Sequence, residues 1–304
     1  MEELFPKPNL VVSGCLAGEK KRYDGKLIKK TFFKNLKGYC RFIVFCPETG
    51  IGLPVPRDRT ILVRTSSEIR AFYLGTGEDI TQRVFSYYEN FKKRHPQVDG
   101  LLLKAKSPSC GISPKTKTYA DQKGKILIGR FPGILRDKVL SDFYPLPIAD
   151  EVMLKSSRDF FEDFFIKLFL ASRFRYLIEN DPVLAFKKLD LFFLAYTGKN
   201  FREINSLEEK SKLIFKLLSS SFNKKRFLNA MLHLIGRTKE LKKGRKNFAI
   251  QLSYKFVMGK LSFLRWCIKM KEVLGERAGS VEGAWEFLHP YPEVLEYERC
   301  LPDL

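Results

Sequence analysis

Three cysteines in the first half of the chain each stand where an apolar, strand-like run ends. Val11-Val12-Ser13-Gly14 leads to Cys15, Phe42-Ile43-Val44-Phe45 leads to Cys46, and Leu101-Leu102-Leu103 leads through Lys104-Ala105-Lys106-Ser107-Pro108-Ser109 to Cys110. In an open parallel sheet the loops leaving the carboxyl ends of neighbouring strands meet in one crevice, so thiolates distant in sequence can converge on one ligand. Three thiolates without a fourth describe a metal centre with an open position. An iron–sulfur cubane normally takes four cysteines, and three would leave one iron free; zinc on three thiolates is the competing metal. Histidine adds little: His95 and His289 each precede proline, and His233 falls within a helical run. Ligation by sulfur alone favours iron–sulfur chemistry or another soft-metal site.

Two further groups stand beside these thiolates. Glu48 follows Cys46 by two residues, in the loop that must face the crevice, where a carboxylate could activate water. The competing assignment is a turn or helix cap. Ser107, three residues before Cys110, could give a hydrogen bond or a proton to a substrate heteroatom, or serve only as a turn residue ahead of Pro108. Cys40, Cys267 and Cys300 read as structural, Cys267 as a small apolar side chain within a helix.

The elements that must position these groups alternate between strand and helix. A polar loop, residues 17–25, follows the first strand; a short helix leads to the second. Turns at Gly50, Gly52, Pro54 and Pro56 come next, and an amphipathic helix spans residues 79–94 with Val84, Phe85, Tyr88 and Phe91 at helical spacing. Residues 125–128 read as another strand. This alternation predicts an α/β fold, a Rossmann-like parallel-sheet domain over residues 1–146. After the proline-bearing joint Tyr144-Pro145-Leu146-Pro147, only helical periodicity remains, and residues 147–304 are expected to form an all-α domain. Its signals are the stripe Phe160, Phe161, Phe164, Phe165, Leu168 and Phe169, a capping box of Ser206 with Glu209, and later helices near 222–235, 245–258 and 261–273.

The 304 residues carry 55 Lys and Arg against 34 Asp and Glu, a net charge of +21 shared by both halves. A field of this size attracts polyanions and favours a nucleic-acid partner. No apolar run approaches the roughly 20 residues of a membrane helix, and the start lacks a basic region followed by an apolar one, so a cytoplasmic protein without membrane contact is expected.

Five blocks in order resemble the thiouracil desulfidase (TudS-like) family: Ser13-Gly14-Cys15-Leu16-Ala17-Gly18, Arg22-Tyr23-Asp24-Gly25, Cys46-Pro47-Glu48, Gly52-Leu53-Pro54-Val55-Pro56-Arg57 and Lys106-Ser107-Pro108-Ser109-Cys110-Gly111. Arg173-Phe174-Arg175-Tyr176-Leu177, the stretch from Asn229 to Gly236, and that from Phe287 to Glu293 resemble the helical YbgA-like module found behind such domains. The resemblance implies a [4Fe-4S] cluster held by Cys15, Cys46 and Cys110 with one open iron. It also implies catalytic assistance from Glu48 and Ser107, and replacement of a thiocarbonyl sulfur by oxygen with release of hydrogen sulfide. Within the same blocks Ser13, Tyr23, Asp24, Arg57 and Ser109 are the candidates for substrate contact. Fusions of the two modules look like RudS-like desulfidases of 4-thiouridine in tRNA, whereas short relatives look like enzymes for free thiouracil. Phosphate contacts are then expected from Lys20, Lys21 and Arg22 near the first cysteine, and from Lys224, Lys225, Arg226 and Arg245 in the helical half. Lys115 and Lys117 add to these. The alternatives are desulfidation of free thiobases and a non-catalytic RNA-binding protein with a structural metal.

Overall fold

The computed structural model describes residues 7–28, 36–180, 207–221 and 243–257, with isolated positions at 223, 225, 226, 229, 269 and 273. One compact unit runs from Lys7 to Phe164. At its centre lies a parallel sheet of four strands in the order β2-β1-β6-β9. Its strands are β1 (Asn9–Ser13), β2 (Arg41–Phe45), β6 (Gly100–Leu103) and β9 (Ile148–Asp150). Register pairs Ser13 with Phe45, Val12 with Leu102, and Leu103 with Asp150. The continuous aliphatic runs of β1 and β6 suit a sheet covered on both faces, and Leu10, Val11, Val12 and Leu101 to Leu103 are all buried. The chain leaves β1 first to β2 on one side and later returns to β6 on the other. The crevice of an open α/β sheet opens at such a reversal.

Helix α2 (Thr81–Arg94) buries Val84, Tyr88 and Phe91 in the main core, as its spacing predicts. Asp79 accepts the Thr81 N–H at 3.0 Å at its start. Tyr88 and Lys92 on this helix both bond Asp142 at 2.8 Å, at the end of α3 (Arg136–Asp142). Helix α1 is a single turn, Pro47–Gly50. Between the polar loop and β2, the described residues hold a 3-10 turn, Leu36–Gly38, while residues 29–35, where the expected short helix falls, lie outside the described residues.

Two sequence expectations change. First, residues 58–79 and 113–131 build a second, mixed sheet in the order β5-β4-β3-β7-β8. Strand β3 (Thr60–Arg64) pairs antiparallel with β4 (Ile69–Tyr73) and parallel with β7 (Thr116–Tyr119). β5 (Glu78–Asp79) pairs with β4. Strand β8 (Leu127–Phe131) closes the order, starting two residues later than the pattern predicts. Second, the compact unit extends past the proline joint, because β9 pairs with β6 and helix α4 (Glu151–Ser156) follows directly. Asp150 fixes this junction: one carboxylate oxygen accepts the Val152 and Met153 N–H groups, the other the Ser113 N–H at 2.7 Å. A boundary at 146 would remove a strand from the sheet that carries the cysteines.

Helix α5 (Arg158–Asn180) buries Phe161, Phe164, Phe165, Leu168 and Phe169, the expected stripe, with Phe160 half-buried. The second unit begins within it, at Phe165. Its further described elements, α6 (Leu207–Ser219) and α7 (Lys243–Val257), are helical as expected. Ser206 and most of residues 222–235 and 258–304 lie outside the described residues.

Candidate active site

Each cysteine is delivered by a turn that the sheet dictates. After β1 the chain folds back, the Leu16 and Ala17 N–H groups returning to the Ser13 carbonyl at 2.7 and 3.0 Å, and Cys15 sits within this turn. A Cβ on Gly14 would stand 2.8 Å from Lys21 Cγ, so any larger residue here would displace that lysine. Cys46 opens α1, its carbonyl accepting the Gly50 N–H at 2.8 Å. The Tyr87 ring lies directly on Gly50 and stacks on Phe45. Cys110 ends a loop in which the Gly111 N–H returns to the Ser107 carbonyl at 3.1 Å. A second segment clamps that loop: Gly133, Ile134 and Leu135 donate to the carbonyls of Gly111, Pro108 and Ser109 at 2.8 to 3.0 Å. Any Cβ on Gly133 would meet backbone at 2.7 Å. Lys106, just before Ser107, holds a left-handed φ of 63°, a conformation that a non-glycine residue keeps only where its surroundings impose it.

The sulfurs share one electrostatic locus. Burial pushes the Cys15 thiol up to about 12, and the neighbouring Cys110, Cys46 and Glu151 add to this while Lys104 opposes it. Burial also pushes Cys110 up, to about 11, against hydrogen bonds to Ser107 and Ser13. Ser13 Oγ lies 3.4 Å and Ser107 Oγ 3.3 Å from Cys110 Sγ. Ser13 Oγ also accepts the Lys104 N–H at 2.9 Å, tying the end of β1 to the end of β6. The Lys104 ammonium pairs with Glu151, whose other oxygen accepts the Ala105 N–H at 2.6 Å.

Buried thiols of this kind resist ionisation until a cation replaces their protons, so the donor set fits a soft, positively charged group. Among the described residues no group of three or more His, Cys, Asp or Glu side chains could hold a single metal ion. One ion bonded at about 2.3 Å would draw three sulfurs to about 3.8 Å of one another, whereas a cubane spreads its ligands over different irons. Cys40 stands apart, buried beside Asp99, which with burial keeps its thiol protonated. His95 packs on Phe91. Cys267, Cys300, His233 and His289 lie outside the described residues.

Glu48 is 8% exposed, and both its oxygens are engaged. Arg57 donates to Oε2 through Nη2 at 2.7 Å and Nε at 3.1 Å, and the fully buried Ser109 hydroxyl donates to Oε1 at 3.3 Å. The Arg57 amino groups also reach the Lys21 carbonyl at 3.2 Å, and its own N–H bonds the Tyr23 carbonyl at 2.7 Å. Arg57 and Ser109 thus hold the carboxylate. Tyr23 is exposed on the loop that Arg57 pins. Asp24 makes a two-bond pair with Arg22, which lowers its carboxyl to about 2.

Of the expected phosphate contacts, Lys20, Lys225 and Arg226 are exposed and Lys21 is half-buried near Glu19. Lys224 and the Arg245 side chain lie outside the described residues. The sequence reading missed three elements of the site. The Pro132-Gly133 dipeptide was the one signal for the Cys110 clamp; the Lys104–Glu151 pair and the Tyr87 wall had none, because each joins segments more than 35 residues apart.

The family model of 2-thiouracil desulfurase matches residues 10–151. The uncharacterized protein YbbK of Bacillus subtilis (strain 168) is 27% identical over 112 residues, covering 34% of this chain and 72% of its own. A solved structure of a [4Fe-4S]-dependent thiouracil desulfidase, TudS (DUF523Vcz), aligns at 27% identity with a TM-score of 0.36, over 49% of this chain and 93% of that one. The family match ends within the first compact unit, at the start of α4. Residues 10–151, with Cys15, Cys46, Cys110, Glu48 and Ser107, are therefore similar to the 2-thiouracil desulfurase family, and the chain is thiouracil desulfidase-like over these residues.

Proposed function

We propose that this protein replaces the thiocarbonyl sulfur of a thiopyrimidine by oxygen, with 4-thiouridine in tRNA as the substrate. The single observation that carries the catalytic part is Glu48, a carboxylate anchored by Arg57 and Ser109 two residues after Cys46, whose thiol is coupled electrostatically to those of Cys15 and Cys110. Cys15, Cys46 and Cys110 would hold the [4Fe-4S] cluster. When bound, the cluster supplies an open, soft Lewis-acid iron for the thiocarbonyl sulfur, leaving the ring carbon electron-poor.

The chain's own groups do the rest. Glu48 takes a proton from the water that attacks this carbon, and the C–S bond breaks as the C=O bond forms. Water and thiopyrimidine give the oxo-pyrimidine and hydrogen sulfide, with no electrons exchanged. Arg57 keeps Oε2 fixed, so Oε1, shared only with the Ser109 hydroxyl, is the oxygen that faces the task. The Ser107 and Ser13 hydroxyls donate to sulfur once Cys110 is a thiolate, and Ser107 is placed to turn its proton toward the departing group.

A net charge of +21 supports an RNA substrate, which needs phosphate contacts while its base is turned into the pocket. Free thiouracil is the second reading, favoured by the substrate in the matched family's description. Anaerobic loading with iron and sulfide, followed by sulfide detection with 4-thiouridine-bearing RNA and 2-thiouracil in parallel, tests both. Absence of sulfide from either substrate with a fully loaded protein would overturn the proposal.

A further inference from the structure

The β7–β8 hairpin is a basic arm rooted in the cysteine loop by both legs. At the outgoing leg, Thr116 Oγ donates to the Ser107 carbonyl at 3.2 Å, and Ser113 N–H is held by Asp150. At the returning leg, Phe131 leads directly into the Gly133 to Leu135 clamp on the carbonyls of Ser109, Pro108 and Gly111. A molecule lying on the arm is therefore held beside Cys110.

From Lys115 to Phe131 the arm carries five cations, Lys115, Lys117, Lys123, Lys125 and Arg130, against one acid, Asp121. Asp121 is spent on the turn, accepting the Lys125 and Ile126 N–H groups. None of the five cations has an ion-pair partner among the described residues. Lys117 and Arg130 are exposed and directly opposite in the β7–β8 register, an arrangement that repulsion disfavours. Arg130 is steadied there by the Lys115 carbonyl at 3.2 Å. Beside them Ile126, Leu127 and Ile128 are 61%, 52% and 41% exposed.

Lysines that protect a sheet edge from aggregation would sit on β8, the edge strand, and would replace exposed aliphatic residues. Here Lys115 and Lys117 lie at and before the inner strand β7, and the aliphatic residues stay exposed on the edge. A second copy docking through this edge would set five cations against five.

We propose that the β7–β8 arm is the surface on which the phosphate backbone of the thiobase-carrying RNA lies, its aliphatic edge contacting sugars and bases. This inference rests on the RNA reading above. Loaded protein is titrated with a fluorescein-labelled RNA stem-loop carrying one 4-thiouridine, across a salt series. Lys117→Glu with Arg130→Glu should weaken binding at least tenfold, and the slope of log affinity against log salt should fall by about 1.8, roughly 0.9 per lost contact. The ratio of kcat/KM on this RNA to that on 2-thiouracil should fall in parallel. Lys123→Ala with Lys125→Ala, at the tip, should give a smaller change of the same sign and decides the matter if the charge reversal unfolds the hairpin. Unchanged affinity and slope in a folded variant, with wild type binding the RNA, overturns the arm alone. Changed self-association with unchanged RNA affinity does the same and assigns the surface to a second copy. Wild type that converts 2-thiouracil but binds no RNA overturns the RNA reading and the arm together.

Discussion

The parallel sheet and the mixed sheet of the first unit are built on different terms. Strand β6 is buried throughout and β1 beyond Asn9, and both end in turns held by backbone bonds and closely packed glycines. The outer hairpin of the mixed sheet exposes three aliphatic side chains and five cations, and bends at a bulge between Thr118 and Tyr119. One sheet sets the relative positions of sulfurs and carboxylate; the other offers surface. Reactive geometry thus depends on few, closely packed residues, while the basic surface is spread over many.

Cutting the parallel-sheet site at its sulfurs should have the largest effect. Cys15→Ala, Cys46→Ala or Cys110→Ala should abolish the broad visible absorbance of the loaded protein, and retention of four irons in any of them would break the contrast. Glu48→Ala should keep that absorbance and lose about 10²- to 10⁴-fold in turnover. Arg57→Met strands a buried carboxylate and should cost about 3–5 kcal/mol in denaturant titrations.

Glycines sharpen the comparison further. Gly133→Ala forces a Cβ onto the backbone of the cysteine loop and should cost about 1–3 kcal/mol. Gly124→Ala, at φ 69° on the hairpin, meets only the flexible Ile61 side chain and should cost about 1 kcal/mol, mainly from conformation. Equal losses of melting temperature would erase the distinction.

The smallest effect concerns pH. Burial acts to raise the Asp142 carboxyl, but hydrogen bonds from Lys92 and Tyr88 outweigh it and hold the group below the ordinary carboxylate value. A lowered folded-state value contributes stability above the unfolded value, near 3.9, and that stability is lost as pH falls through the folded one. Asp142→Asn should remove less than about 1 kcal/mol at pH 7, with the difference from wild type closing below about pH 4.

What could be read from the residues follows the same division. The cysteines were legible because an aliphatic run ending in a loop declares both strand and crevice, whatever its partners. Helix α2 declared itself through Val84, Tyr88 and Phe91. The mixed sheet did not: β5 has two residues, and β3 and β4 are defined by pairing with each other rather than by a pattern of their own. Arg57 stood out as a candidate substrate contact, yet its guanidinium is spent on Glu48 and the Lys21 carbonyl, because only the fold shows which partner a long side chain meets. The proline joint resembled a domain border, but β9 beyond it, three residues long, completes the sheet.

The Arg57 guanidinium grips two objects at once, the main-chain oxygen of Lys21 in the first cysteine loop and the Glu48 carboxylate, with Nη2 shared between them. A displacement of that loop therefore acts on Glu48 with no intervening relay. Loop and carboxylate are coupled through one rigid, planar cation.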